Sequence, residues 1–314
     1  MTSLRTLGSS GIAVFPLALG GNVFGWTADQ AQSFAVLDAY TAAGGNFVDT
    51  ADAYSAWVTG NEGGESETVI GSWLAARRNR SEVVVATKVG SHPQYKGLSG
   101  STIKAAAEAS LQRLGTDYID LYYTHFDDLS VPVEEIITAL DQLVKEGKVR
   151  AVAASNLSAD RLRASLEFSE REGLARYAAL QPHYNLVSRD TYEGDLQDTA
   201  AAAGLAAAPY SGLASGFLTG KYRPGTTVDS ARAAGAGKHL KTERGVRVLA
   251  ALDKVARARG AEVATVALAW LAAQPTVVAP IASARTVEQL PALTAVAELE
   301  LTAEEVAELT AASA

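Results

Sequence analysis

Four side chains in the amino-terminal half could act together on a carbonyl group. Asp49 sits near the end of the apolar run NFVDT (46–50), and Tyr54 follows five residues later in a short polar loop. Lys88 closes VVVATKV (83–89), and His125 ends IDLYYTH (119–125). A buried carboxylate and a buried ammonium are each costly alone and tolerable as a pair. A free phenol titrates near pKa ~10 and is a poor acid at neutral pH unless a nearby cation lowers that value. Beside a lysine it could give a proton to a developing alkoxide, while a histidine polarises or orients the carbonyl oxygen. The set describes proton donation to a carbonyl, with the hydride coming from another source. Each residue also has a plainer reading: a structural ion pair across adjacent strands, a surface tyrosine, a core histidine. Residue types alone leave both readings open.

The segments that carry these residues form a repeating pattern. Eight short apolar runs, at 17–20, 46–50, 83–89, 119–125, 149–155, 177–183, 205–211 and 277–283, alternate with stretches of helical spacing. The helical stretches cover 29–43, 65–78, 101–114, 133–146, 159–171, 189–203, 244–259 and 262–273, with two more at 286–297 and 303–312. Strand then helix, eight times over, predicts a parallel α/β architecture whose strands are covered on both faces. The expected fold is a (β/α)8 TIM barrel with a short N-terminal β-hairpin, at 4–7 and 12–15, and an additional C-terminal helix. No linker or composition break divides the chain, so residues 1–314 are expected to be one domain. A doubly wound sheet would carry a glycine fingerprint after its first strand, and LALGGNVFG does not match it. In a barrel the active site lies at the carboxyl ends of the strands. Asp49, Lys88, His125, Ser155 with Asn156, Gln181, and Tyr210 with Ser211 close their runs there. The Gly/Ala-rich segment 224–241 reads as a long loop of the seventh unit, a type that is usually functional or disordered.

Composition narrows the remaining options. The chain has 314 residues, 48% apolar and 20% charged, enough to bury a large core. It has no cysteine, which removes disulfides, thiolate nucleophiles and cysteine metal sites. A net charge of -8 with scattered cations gives no basic stripe, so no nucleic-acid partner is expected. No run reaches membrane-spanning length and the N-terminus lacks a signal-peptide core, so the expected setting is cytoplasmic and away from membranes. Histidines 92, 125, 183 and 239 show no ligand spacing, and no metal site is expected. A barrel glycosidase needs two facing carboxylates, yet Asp49 is the one acid at a strand end, and Asp120 lies early in its run, at the wrong end.

Longer matching stretches support the carbonyl reading. LGSSGIAVFPLALGGNVFGW, GGNFVDTADAY, GESETVIGSWL, ATKVG, SLQRLGTDYIDLYYTH, GKVRAVAASNLS, LQPHYNLV, PYSGLASGFLTGKY and PIASARTVEQL follow one another along nearly the whole chain. In these the chain resembles the aldo/keto reductases, in the branch that includes bacterial oxidoreductases and potassium-channel β subunits. The resemblance implies a barrel that binds NADPH, with NAD the less favoured cofactor, and no Rossmann domain. It implies Tyr54 as general acid, Lys88 depressing the Tyr54 pKa, Asp49 pairing with Lys88, and His125 orienting the substrate. Ser155, Asn156 and Gln181 would bond the nicotinamide carboxamide, and Tyr210 would stack on the ring. Gly20, Gly21, Asn22 and Asp49 would border the cofactor. PYSGLASGFLTGK, through Ser211, Gly212, Leu213, Ser215, Gly216, Leu218 and Lys221, would wrap the pyrophosphate; Gly212 and Gly216 would let backbone N–H groups come close. Ser283 and Arg285 would hold the 2′-phosphate, with Gln289 nearby. Trp26, Tyr54, Trp57, His125 and Phe126, followed by Asp127, would line a pocket for an apolar carbonyl compound, although the aromatics also read as packing. One departure stands out: after Gln289 the family has a Glu and an Asn that hold adenine, and here Ala292 and Leu293 follow Pro291. The cofactor would then bind more weakly, or loop 223–241 would hold the adenine. The expected function is NADPH-dependent reduction of a small aldehyde or ketone; the alternative is an NADPH-binding regulatory subunit with little turnover.

Overall fold

A computed structural model describes residues 3–230 and 232–314. Eight parallel strands form one sheet. They are β1 (Ala18–Gly20), β2 (Phe47–Asp49), β3 (Val84–Val89), β4 (Ile119–Thr124), β5 (Val149–Ser155), β6 (Tyr177–Gln181), β7 (Ala206–Ala207) and β8 (Ile281–Ala282). From β1 to β7 each strand pairs with the next in sequence, and β8 pairs with β1, Ile281 opposite Ala18. The sheet closes through a bridge between Ala207 and Val277, and Val278 N–H donates to the Ala207 carbonyl at 2.9 Å. Among the described residues no helix is long and apolar enough to cross a membrane.

The helices alternate with these strands: α1 (Gln30–Ala42), α2 (Glu65–Arg77), α3 (Gly100–Leu114), α4 (Val133–Lys145), α5 (Ala159–Glu172), α6 (Asp195–Ala202), α7 (Ala233–His239), α8 (Glu243–Arg259), α9 (Val263–Ala272), α10 (Leu290–Thr294) and α11 (Ala303–Ala312). Their starts follow from local chemistry. Asp29 and Thr302 close reciprocal capping boxes on α1 and α11, and Ser99, Ser158 and Thr242 cap α3, α5 and α8. Continuous apolar strands explain the burial: all six residues of β3 and of β4 are buried. Their outward residues join the helices in one core, and their inward residues form a second. The inner core is built from small side chains, including Ala86, Ala153, Ala179 and Ala208, and is closed from below by Leu7, Ile12 and Val14 of the N-terminal hairpin (Arg5–Thr6 with Ala13–Val14).

The structure trims several expected elements. The seventh and eighth strands shrink to two residues each because Pro209 and Pro280 have no N–H for a ladder. The helix expected at 189–203 begins only at Asp195; before it, Arg189 bonds Glu193 at 2.7 Å and stabilises a turn. The segment 286–297 divides into α10 between two 3-10 turns. The long loop expected at 224–241 contains α7, whose Ala236 is buried and whose His239 ring lies 5.1 Å from Phe217. Residue 231 lies outside the described residues.

Candidate active site

Asp49 ends β2, Lys88 is the penultimate residue of β3, and His125 follows β4, so the barrel brings three of the four expected residues to one mouth. Tyr54 reaches it from the loop after β2. That loop is pinned: Ser55 adopts φ 72, its hydroxyl donates to the Phe24 carbonyl at 2.9 Å, and Asn61 Nδ2 donates to the Ser55 carbonyl at 3.1 Å. Lys88 Nζ lies 2.7 Å from Asp49 Oδ2, 2.6 Å from the Thr50 carbonyl and 3.1 Å from the Tyr54 hydroxyl. Lys88 is fully buried and Asp49 nearly so. The His125 ring stands 6.0 Å from the Tyr54 ring, edge to face.

Charge states follow from burial and neighbours. Burial pulls the Lys88 ammonium down, but the attraction of Asp49 and Tyr54 outweighs it, and the net direction is up; the amine stays protonated. The expected depression of the Tyr54 pKa is not what this arrangement produces. Burial of the phenol raises it, Lys88 lowers it, Asp49 raises it again, and the net direction is upward. The physical reason is first the lost hydration of a buried phenolate, with Asp49 offsetting part of the Lys88 charge, so the ammonium only limits the cost of ionising the phenol. Burial and the Lys88 charge bring His125 down to about 3, so its imidazole is neutral at physiological pH, and its Nδ1 has no hydrogen-bond partner among the described residues.

A cavity of about 660 Å³ opens beside Tyr54. Its wall holds the expected residues Gly20, Asn22, Trp26, Asp49, Trp57, Tyr210, Ser211, Gly212, Leu213, Ser215, Gly216, Lys221, Ser283, Arg285 and Gln289. Lys221 and Arg285 form no ion pair with any described residue, whereas Ser283 Oγ bonds Asn22 Oδ1 at 2.7 Å. Ser211, Ala214 and Ser215 adopt φ 56, 47 and 58. Each left-handed L-residue costs about 1–2 kcal/mol, and such strain gathers where backbone groups are aimed at a ligand. A Cβ at Gly212 would meet Leu271 at 3.1 Å and the Ile281 carbonyl at 3.3 Å; the missing side chain lets this stretch of the cavity wall pack closely on α9 and β8. Gly216 needs its φ of 90.

Other expected residues lie off this wall. Gly21 donates its N–H to the Asp49 carbonyl at 2.7 Å, and Leu218 is fully buried. The expected carboxamide partners are already engaged with one another. Gln181 Nε2 donates to Asp49 Oδ1 at 2.8 Å, Ser155 Oγ to the Gln181 carbonyl at 2.9 Å, and Asn156 Nδ2 to the His125 carbonyl at 2.8 Å. The Tyr210 hydroxyl donates to Asn156 Oδ1 at 2.8 Å, and one ring face stacks on His183 at 5.2 Å. Phe126 is 51% exposed and stacks on His125 at 4.8 Å, at the outer rim. Asp127 is paired with Arg161 at 2.9 Å and is not free for a substrate. Asp120, at the opposite end of β4, pairs with Arg80 and Arg150.

Sequence reasoning missed Thr219, Ser230, Arg232 and Glu262 on the cavity wall. For Ser230 and Arg232 the signal that pointed there was the length of segment 224–241. Arg232 lies with its guanidinium over the Trp26 ring, 5.7 Å from its centroid. Ala292 and Leu293 also face the cavity, and Leu293 is only 4% exposed, packed into the main core, so this end of the wall is apolar. Asp52 was also missed. It lies between Asp49 and Tyr54 in sequence and is fully buried, and neither carboxylate oxygen has a hydrogen-bond partner among the described residues.

The sequence profile of the aldo/keto reductase family matches residues 16–314. Norsolorinic acid reductase stcV of Emericella nidulans is 34% identical across 96% of this chain and 78% of its own length. The putative aryl-alcohol dehydrogenase AAD14 of Saccharomyces cerevisiae is 31% identical across 96% of this chain and 84% of its own. A probable voltage-gated potassium channel subunit beta of Oryza sativa subsp. japonica is 34% identical across 91% of this chain and 88% of its own.

Proposed function

The chain belongs to the aldo/keto reductase family, and from that premise we propose that it reduces an aldehyde or ketone to an alcohol at the Tyr54 hydroxyl, with NADPH as the reductant. The observation that carries the reading is the buried Asp49–Lys88–Tyr54 chain, with contacts of 2.7 and 3.1 Å, opening onto a cavity whose cations form no ion pair among the described residues. NADPH, when bound, supplies the hydride. Lys221 and Ser215 suit its pyrophosphate, and Arg285 with Ser283 suits the 2′-phosphate, since a guanidinium fork matches phosphate geometry. Tyr210 presents its face away from His183 to a planar ring. Ser155, Asn156 and Gln181 would exchange some of their present bonds for a carboxamide.

The carbonyl oxygen would lie between Tyr54 and His125. As negative charge develops there, Tyr54 gives up its proton, and the Lys88 ammonium stabilises the phenolate left behind. Asp49 holds Lys88 aimed at the phenol. Neutral His125 donates or orients and does not compete as an acid.

The test is a panel of aldehydes and ketones with NADPH, read as loss of reduced-nicotinamide absorbance, beside a titration of NADPH binding. Tight binding with turnover supports the reading. Tight binding without turnover on any compound would favour a nucleotide-sensing subunit, the kind of role that the name of the Oryza relative describes for that protein.

A further inference from the structure

We infer that Asp52 is a positioning residue for the proton donor: from behind the loop that carries Tyr54, and in its uncharged form, it keeps the phenol at Lys88. The inference rests on the reductase reading above. Asp52 is fully buried, neither of its oxygens has a hydrogen-bond partner among the described residues, and the proton path from Lys88 through Tyr54 does not use it. Its backbone N–H donates to the Lys88 carbonyl at 3.1 Å, so the side chain hangs on backbone already tied to the strand that carries Lys88.

Behind the loop, two acids share one cation. Glu67 of α2 is also fully buried; it accepts from the Thr87 hydroxyl at 2.5 Å and from Arg113 Nε at 2.6 Å. The Arg113 guanidinium, from α3, also donates to Ser110 Oγ at 3.3 Å. Tyr122 of β4 is the other titratable group facing Asp52. Burial and then the Glu67 charge push the Asp52 carboxyl up to about 8, against weaker pulls from Arg113 and from the Gly90 and Ala53 N–H groups. His92, in the hairpin after β3 (Ser91–His92 with Tyr95–Lys96), faces Arg113 and Glu67, and burial with the Arg113 charge lowers its pKa. The same guanidinium forms a wall of the Tyr54 loop. A Cβ on Gly64 would collide with Arg113, and one on Gly63 would meet the His92 ring at 2.9 Å. Gly64 N–H in turn donates to the Tyr54 carbonyl at 3.2 Å. A buried charge is tolerated only when paired, so Asp52 as a carboxylate would draw on Arg113. Arg113 could answer only by leaving Glu67 and its seat against Gly64, and the turn that holds Tyr54 would move with it. The neutral acid requires no such exchange.

The experiment measures single-turnover reduction of benzaldehyde by the NADPH complex from well below to well above pH 8 for wild type, Asp52→Asn and Glu67→Gln. Beside it runs the emission of Trp57, taken as the difference between each protein and its Trp57→Phe counterpart, with the melting temperature recorded for each. Wild type is expected to lose rate about tenfold per pH unit above about 8, with a change in Trp57 emission at the same midpoint. Asp52→Asn, a permanently uncharged isostere, should lack both changes. Glu67→Gln removes the like charge that helps hold the proton on Asp52, so both midpoints should move to lower pH. An Asp52→Asn protein that keeps the wild-type midpoints would overturn the proposal. So would a rate lowered equally at every pH, the mark of a packing role. The emission distinguishes this failure from failure of the reductase reading. An Asp52-dependent change in Trp57 emission without turnover of any carbonyl compound would sink the reductase reading and leave Asp52 as the holder of this loop. Turnover whose pH dependence ignores Asp52 would do the reverse.

Discussion

Lys88 and Asp49 illustrate why a reactive pair resists simple substitution. Both are buried, 2.7 Å apart, and removing one partner of such a pair costs about 3–5 kcal/mol because the other charge is stranded. Lys88→Met should therefore lower stability in chemical denaturation as well as turnover. Lys88→Met with Asp49→Asn should recover most of the stability and none of the turnover; recovery of both would show that the ammonium serves packing alone. Asp52 offers a pH test at the same scale. Burial, helped by the Glu67 charge, raises its carboxyl to about 8, against ~3.9 in an unfolded chain. Its folded form therefore holds the proton between those values, and its contribution to stability is lost as pH rises from about 4 to about 8, at up to about 1.4 kcal/mol per pH unit. Asp52→Asn should flatten the denaturation profile over that window. An unchanged slope would mean that Asp52 does not carry the proton. His125 has the opposite sign: depressed to about 3, it costs stability as pH falls from ~6.5 toward that value.

Elements explain why some of this was legible and some was not. Asp49, Lys88 and His125 could be located because a buried parallel strand is a continuous apolar run, and the first polar residue at its carboxyl end marks the mouth. Tyr54 sits on a loop whose path depends on Ser55 and Asn61, so its contact with Lys88 was open to inference from residue chemistry and family resemblance, not from spacing. The seventh and eighth strands were read too long because apolar composition hides what Pro209 and Pro280 do to a ladder. Helix α7 went unread because Ala233–His239 is short and rich in Ala and Gly, without an apolar period. It forms by docking, with Ala236 buried and His239 against Phe217. A charge placed on that docked face, as in Ala236→Asp, should release α7 locally. The expected result is weaker NADPH binding and faster NADPH release, with little change in the global melting temperature. Unaltered release would show that this segment does not cover the cofactor.

At the scale of the molecule, the repeat of eight strand–helix units points to the barrel, and closure between Ala207 and Val277 completes it. The charge balance was less readable. A net charge of -8 conceals a cavity with Lys221, Arg232 and Arg285 on its wall, because the barrel brings Arg285 to the segment that carries Lys221 and Arg232. Screening weakens such attraction, so NADPH affinity should fall as salt rises. Affinity independent of ionic strength would argue against phosphate recognition by these cations. The proton path is the claim on which the rest turns. The measurement that tests it most directly pairs single-turnover carbonyl reduction with NADPH binding for wild type and Tyr54→Phe. Loss of the general acid should slow the chemical step about 10²–10⁴-fold with NADPH affinity nearly unchanged. Reduction at the wild-type rate without the hydroxyl would contradict the account.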